Sequence, residues 1–356
     1  MRWGYVNAAM GIPLQGPSGA SAHVRGICSA LKKQQELRIF SATRTDHRGV
    51  FGLAMEAKTY SNPLAWLKRY RALSEMFIAR KIANDIGALD WRPEILLERH
   101  SLFSDASWRA GEQLGIPWML EVNAPILEER YRYEHIRFPK LGRDWQQDVL
   151  LACPMIFAVS RWLRDWLVEE IGCQNVHWLP NGTSNVVGNA TRGRALIGVN
   201  EGQKIIGFVG SFRAWQGVDR IPTMAQKVGA LSVCIGHGPS VGADVQMAVY
   251  DVQDLADIIS TFSVAVAPYT KSAPPWLCPL KLLQYRAQGI PIVSSDVGDA
   301  KWIIQNEGSV LPADNDNFFE EAIQYWMNQS VEKSIRSWDE VSREMISHVH
   351  DWQKTG

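Results

Sequence analysis

PNGTSNVVGNATRGRAL (180–196) is the stretch on which the fold turns. Rich in Gly, Asn, Ser and Thr, it shows neither the 3.6-residue period of an amphipathic helix nor the alternation of a half-buried strand. It is therefore expected to be an interdomain linker. Working outward, apolar strand candidates appear on both sides. Before it stand WGYV (3–6), LRIFS (37–41), EILLE (94–98), PWMLEV (117–122), MIFAVS (155–160) and VHWLP (176–180). After it come KIIGFVG (204–210), LSVCIG (231–236), VAVAP (264–268), PIVSS (291–295) and SVLP (309–312). Most are continuous apolar runs, as in parallel strands covered by helices on both faces. Helical stretches separate them, so the expected fold class is α/β with two doubly wound, Rossmann-like sheets.

Composition agrees. The 356 residues, at roughly 150 per domain, suggest about two domains. A hydrophobic share of 46% with 21% charged residues fits a globular chain and excludes disorder, collagen and coiled coil as the whole answer. No apolar run approaches the ~18 residues of a membrane helix. MRWGYVNAAM reads as a first strand rather than a secretory leader. Five widely spaced cysteines, Cys28, Cys153, Cys173, Cys234 and Cys278, contain no C-x-x-C, which fits a reducing cytoplasm and small buried side chains.

Net charge is zero, but residues 1–183 hold 23 basic against 19 acidic side chains, a modest hint that the first half meets something anionic. Neither a basic arm nor zinc-finger spacing supports a nucleic-acid partner. The 15 tryptophans serve as core residues and as stacking surfaces for sugar rings or membrane interfaces.

Two local signals stand out. GPSGASAH (16–23) follows the first strand and opens a helix, so Gly19 is placed where backbone N–H groups can meet a phosphate. SWDEVSREMISHVHDW (337–352) opens on the capping box Ser337/Glu340 and carries Trp338, Val341, Met345, Val349 and Trp352 on one apolar face.

Read in order, several segments resemble the retaining nucleotide-sugar glycosyltransferases of family 4, which have the GT-B fold. They include SGASAHVRGICSAL (18–31), LPNGTS (179–184), GFVGSFRAWQGVDRI (207–221), IGHGP (235–239) and PLKLLQYRAQGIPIVSSDVGD (279–299). The last is similar to the family's PLK-x-x-EY-x-A-x-G-x-PVV block. The resemblance implies an acceptor-side domain over 1–184 and a donor-side domain over 185–336, with 337–356 as a helix crossing back to the first. It implies a nucleotide diphosphate-sugar donor, no metal and no other cofactor, and a glycan, lipid-linked or small-molecule acceptor.

Such transfer builds negative charge on the leaving phosphate beside an oxocarbenium-like sugar, so cations and N–H groups are needed there. The family's Arg and Lys after the first C-domain strand fall here on Ser211 and Gln216, leaving Arg213 and Lys281 as the candidate phosphate cations. The family's paired glutamates fall on Trp276 and Gln284; Gln284 keeps hydrogen-bonding capacity for ribose without charge. His237 stands in a turn near the expected nucleotide, with YDVQDL (250–255) toward the base. In the first domain Glu98, Arg99, His100, Glu121 and Asn123 fall at the carboxyl ends of expected strands. Of these, His100 and Asn123 are the candidates to face the transferred sugar or acceptor. Against each stands a plainer reading: a turn residue at His237, a structural histidine at His100, surface charges at Arg213 and Lys281.

NPLAWLKRYRALSEMFIARKIAND (62–85) places Trp66, Tyr70, Leu73 and Phe77 on one helical face with basic residues elsewhere. It is either a helix packed on its own sheet or a peripheral contact with the inner face of a membrane. Two rival functions remain open. One is a catalytically weakened scaffold for another glycosyltransferase, favoured by Ser211, Gln216 and Gln284. The other is a nucleotide-sugar epimerase.

Overall fold

The computed structural model describes residues 1–16, 18–43, 57–60, 71–133, 136–313 and 315–355. The chain divides into two compact units: Asn181–Glu340 forms the second, and the residues up to Pro180 join those from Val341 onward in the first.

In the first unit β1 (Arg2–Asn7), β2 (Glu36–Ser41), β3 (Ala57–Thr59), β4 (Ile95–Arg99), β5 (Trp118–Val122), β6 (Ile156–Ala158) and β7 (Val176–Trp178) form one sheet. The order is β3-β2-β1-β4-β5-β6-β7 and every pairing is parallel. Tyr5 of β1 lies opposite Ile39 of β2 and Leu97 of β4. β4 and β5 are buried along their whole length, as continuous apolar runs require of central strands. The connections carry α1 (Gly19–Gln34), α2 (Arg71–Gly87), α3 (Ala106–Leu114), α4 (Ile126–Tyr133), α5 (Pro139–Ala152) and α6 (Arg161–Asp165). α1 starts where expected, because the Ser18 hydroxyl accepts from the Ser21 N–H at 3.1 Å.

The second unit repeats the scheme. β8 (Ile205–Val209), β9 (Leu231–Ile235), β10 (Val245–Met247), β11 (Val264–Ala267), β12 (Ile292–Ser295) and β13 (Gly308–Leu311) run parallel in the order β10-β9-β8-β11-β12-β13. Its helices are α7 (Ala190–Ile197), α8 (Ile221–Lys227), α9 (Val252–Ile259), α10 (Leu280–Gln288), α11 (Ala300–Ile304) and α12 (Asp316–Trp326). A core of Phe208, Val264, Val266, Val293 and Phe319 lies between sheet and helices. In both sheets the chain leaves adjacent strands in opposite lateral directions, at β1/β4 and at β8/β11. Ligands of such sheets gather outside the carboxyl ends at that point.

The structure corrects the opening reading of 180–196. This segment is built into the second unit rather than strung loosely between domains. Asn189 caps α7 by accepting from the Arg192 N–H at 3.1 Å. Asn189 N donates to Asp257 Oδ1 and Gly188 N to Gln288 Oε1, each at 2.8 Å. A Cβ at Gly193 would stand 2.1 Å from the Asp257 carbonyl oxygen, so α7 packs close on α9 only because glycine is there. The short edge strands β3 and β10 had no sequence signal, since AKT and VQM hold no apolar run.

The Ser337/Glu340 box forms: Glu340 N donates to Ser337 Oγ at 3.1 Å, and Ser337 N donates to Glu340 Oε2 at 2.6 Å. It opens α13 (Trp338–Thr355), which buries Val341, Met345 and Val349. Gln34 Nε2 of α1 donates to Ser342 Oγ, and the His348 ring lies 4.1 Å from that of His177 on β7. Of the helix expected over 62–85, Trp66, Lys68, Arg69 and Tyr70 lie outside the described residues. From Arg71 on, α2 buries Ile78, Ala79, Ile82, Ala83 and Ile86 and leaves Leu73 and Phe77 exposed.

Candidate functional site

At the carboxyl ends of β1, β4 and β5 the first unit concentrates charged and polar groups inside an apolar frame. Glu121 is 2% exposed, and its carboxylate accepts from Tyr5 Oη at 2.7 Å. His23 Nε2 of α1 stands 3.0 Å from the same carboxylate and Arg99 Nη1 3.5 Å. Burial alone would raise this carboxyl's pKa. His23, Arg99 and the Tyr5 hydroxyl together hold it down at about 2. Glu121 is thus a paired structural carboxylate that ties α1 to the sheet.

Glu98 also turns inward, with different partners. Ser104 Oγ donates to one oxygen and Ser107 N donates to the other at 2.7 Å. Burial pushes its pKa up to about 7 against these two donors. Glu98 therefore anchors residues 100–107, the loop into α3. Phe103 in that loop has φ +61°, a strained backbone for a non-glycine residue that such anchoring sustains.

His100 opens the same loop. It is 4% exposed, and neither ring nitrogen completes a hydrogen bond. Burial lowers its pKa to about 4, opposed in part by neighbouring Gln146, so the ring is neutral at pH 7. The buried Ser101 Oγ, Asn123 Nδ2 and Asn7 Oδ1 also lack partners. The His100 N–H bonds to the Glu121 carbonyl at 2.9 Å, which sets the end of β4 beside the end of β5 that leads into Asn123. The structure thus brings His100 and Asn123 to neighbouring strand ends and adds Ser101 and Asn7. Gly19 is exposed at the first position of α1, in the next connection. Arg25 Nη1 donates to the carbonyls of Leu14 at 3.1 Å and Gly16 at 2.7 Å, pinning the turn that precedes it. A surface hollow of about 490 Å3 lies at the opposite strand ends between Met1, Lys33 and Glu94, and none of the candidate residues lines it.

In the second unit three of the sequence candidates form one chain of contacts. Lys281 Nζ donates to Gln216 Oε1 at 2.5 Å, and Gln216 Nε2 donates to Ser211 Oγ at 3.0 Å. Lys281, in the first turn of α10, is half-buried as a residue. Its ammonium lies 3.8 Å from the Phe208 ring centroid and 5.4 Å from that of Tyr269. Burial holds this ammonium well below its ordinary pKa. Gly210 has φ +150°, and a Cβ there would meet Lys281 Nζ at 2.7 Å and Gln216 Oε1 at 2.9 Å. Glycine thus keeps open backbone beside the lysine.

The loops after β8 and β11 clasp each other around this group. Thr270 N donates to the Trp215 carbonyl at 3.0 Å, and Trp215 stacks on Tyr269 with centroids 5.9 Å apart. The indole Nε1–H of Trp215 is buried without an acceptor, a donor the sequence reading had not assigned to the site. Arg213 is exposed on the same loop, and Gln284 is half-buried one turn along α10 from Lys281. His237 is exposed and sits 5.2 Å, ring to ring, from Tyr250, so the two turns expected near a nucleotide do meet. Trp276 is 4% exposed. Among the described residues no group of three or more His, Cys, Asp or Glu side chains is placed to hold a metal ion. Nor is any helix among them long and apolar enough to cross a membrane.

Residues 17–184 match the family model described as Glycosyltransferase Family 4, and residues 203–329 match Glycosyl transferases group 1. The chain is a glycosyltransferase-like protein of GT-B fold. Solved structures similar to it include sucrose-phosphate synthase from Thermosynechococcus elongatus, at 15% identity and TM-score 0.70 over 99% of this chain and 96% of that one. Anabaena HepE in complex with UDP aligns at 10% identity and TM-score 0.67, over 99% of this chain and 100% of that one. WaaG, a glycosyltransferase involved in lipopolysaccharide biosynthesis, aligns at 11% identity and TM-score 0.64, over 100% and 96%. Identities this low establish the shared GT-B architecture. No curated relative matches in sequence.

Proposed function

We propose that this GT-B chain is a retaining glycosyltransferase that moves a sugar, of hexose type, from a nucleotide diphosphate-sugar to a hydroxyl of a glycan, lipid-linked or small-molecule acceptor in the cytoplasm. The observation that carries the donor assignment is the Ser211–Gln216–Lys281 chain beside Gly210 at the β8/β11 switch point. A diphosphate laid there would meet a preorganised ammonium, a hydroxyl and the unpartnered Trp215 N–H. Binding an anion would favour the charged form of Lys281 that burial disfavours in the free protein. Arg213 would add charge from the rim, Gln284 would hydrogen-bond ribose, and His237 with Tyr250 would border the base.

The first unit, up to Pro180 and from Val341 onward, would take the acceptor, and the second, Asn181–Glu340, the donor. Gly19, at the first position of α1, would offer its N–H to a phosphate. His100 and Ser101 bring neutral, unpartnered groups, as does Asn123, a combination that suits sugar hydroxyls better than an anion. In the transfer the bond from the anomeric carbon to the diphosphate oxygen breaks and a bond to the acceptor oxygen forms. The acceptor proton leaves with the nucleotide diphosphate.

Calorimetry against UDP, GDP, ADP and dTDP tests the donor half. One diphosphate is expected to bind, and Lys281→Ala and Gln284→Ala are each expected to weaken it at least tenfold. Unchanged affinity in both variants would displace the site. The neutral Ser211 and Gln216 also support a second reading, a scaffold without turnover. Donor binding without hydrolysis or transfer over a panel of acceptors would favour it.

A further inference from the structure

We infer that Arg220 is a positioning residue of the donor site: it holds the loops after β8 and β11 in the register that presents the Trp215 N–H and the Tyr269 ring beside Lys281. Its role rests on the donor reading, and it acts through its neighbours rather than on the ligand. Arg220 ends the short turn Val218–Arg220, which follows Gly217. Its backbone N–H donates to the Gly217 carbonyl at 3.2 Å and closes that turn. Its side chain then ties separate elements together. Nη1 donates to the Pro268 carbonyl at 3.1 Å. Nε donates to Asp316 Oδ1, in the first turn of α12, at 2.7 Å, and Nη2 donates to the same oxygen. The guanidinium carbon lies 5.5 Å from the ring centroid of Phe319, which is fully buried in the core. One planar fork thus fixes a carbonyl on one edge and a carboxylate on the other. A lysine ammonium has no such fork.

The bonds bracket the aromatic stack. Arg220 fixes the carbonyl that precedes Tyr269, and Thr270 N, which follows Tyr269, donates to the Trp215 carbonyl. Trp215 and Tyr269 stack between these two cross-loop ties. Gly217 makes the approach possible: a Cβ there would stand 2.0 Å from the Pro268 carbonyl oxygen and 3.5 Å from Arg220 Nη1. Asp316 and Phe319 in turn anchor the bracket to α12 and the core. A donor aimed at developing charge is effective when the groups around it hold it in place beforehand. The indole N–H of Trp215, buried without an acceptor, is such a donor, and Arg220 is the side chain that locks its loop against the next.

Calorimetry of the full chain with UDP, GDP, ADP and dTDP tests this. Arg220→Lys keeps the charge and loses the fork, and is expected to weaken the bound diphosphate about fivefold, the worth of one hydrogen bond. In a Trp215→Phe background the same change is expected to cost less than about twofold, because the donor that Arg220 holds is already gone. Asp316→Asn, at a side chain 51% exposed, is expected to shift affinity in the same direction and keeps the test open if Arg220→Lys folds poorly. Near-ultraviolet circular dichroism of the free chain should report a changed Trp215–Tyr269 pair in Arg220→Lys. Arg192→Lys, which disturbs a comparable fork to Asp254 and Asp257, is expected to leave binding unchanged. Equal loss in both backgrounds, or a lower melting temperature with affinity unchanged, marks a plain brace and overturns the proposal while the donor reading stands. No diphosphate bound by the wild type overturns the donor reading and this role with it.

Discussion

Glu98 and His100, two residues apart at one strand end, should make opposite contributions to stability as pH changes. Glu98 ionises near pH 7 in the fold instead of near 4.5, so the native state holds a proton that the unfolded chain releases earlier. Its contribution to stability is complete below about 4.5 and is lost as pH rises to about 7. His100 is the reverse: with its pKa lowered from 6.5 to about 4, the unfolded chain binds the extra proton, and stability grows as pH rises through that interval. Each gap, at about 1.4 kcal/mol per pH unit, amounts to about 3 kcal/mol. In the wild type the two nearly cancel between pH 4.5 and 6.5.

Glu98→Gln keeps an acceptor for Ser107 N and a donor for Ser104 Oγ but removes the titration. Urea unfolding followed by circular dichroism should show the stability of this variant, relative to wild type, climbing by about 3 kcal/mol from pH 4.5 to 7 and then levelling. His100→Gln should show the relative stability falling by a similar amount from pH 4 to 6.5. Other groups, including His177 with its lowered pKa, are common to all three proteins and drop out of the differences. Parallel wild-type and Glu98→Gln curves across that interval would falsify the buried-carboxyl argument.

Lys281→Met should lower nucleotide diphosphate affinity at least tenfold by calorimetry without lowering the melting temperature, because the buried ammonium is costly in the free protein. Trp215→Phe keeps the stack on Tyr269 and removes only the unpartnered N–H; stability should hold while diphosphate binding weakens, and equal binding would show that N–H idle. Gly217→Ala places a Cβ 2.0 Å from the Pro268 carbonyl oxygen at φ +62°, and should destabilise the second unit by about 2 kcal/mol or more in chemical unfolding. Ser337→Ala removes one half of the capping box and should cost about 1 kcal/mol, visible as earlier loss of helix signal.

Much of the architecture was legible in order and type. Continuous apolar runs such as VAVA and IVSS could be buried on both faces only in parallel sheets, and they are. Charged residues interrupting such runs, Glu98 and Arg99 in β4 and Glu121 in β5, marked the carboxyl ends that carry polar chemistry. What those charges do was not legible. Glu121 and Glu98 are both buried glutamates at neighbouring strand ends, yet one is held near pKa 2 and the other near 7. Their difference lies in His23 and Arg99 on one side and two serine donors on the other.

The stretch 180–196 shows the same division. Its polar composition read as a free linker, but Asp257 and Gln288, far along the chain, hold its backbone in place. Sequence by itself determined which segments could become strands, where helices start, and which residue types stand at the switch points. Only the tertiary structure decided that Lys281, Gln216 and Ser211 share one hydrogen-bonded chain and that Leu73, Tyr133 and Phe138 face outward. Periodicity and capping act over a few consecutive residues, whereas burial and hydrogen-bond partnership depend on which distant segments the fold brings alongside.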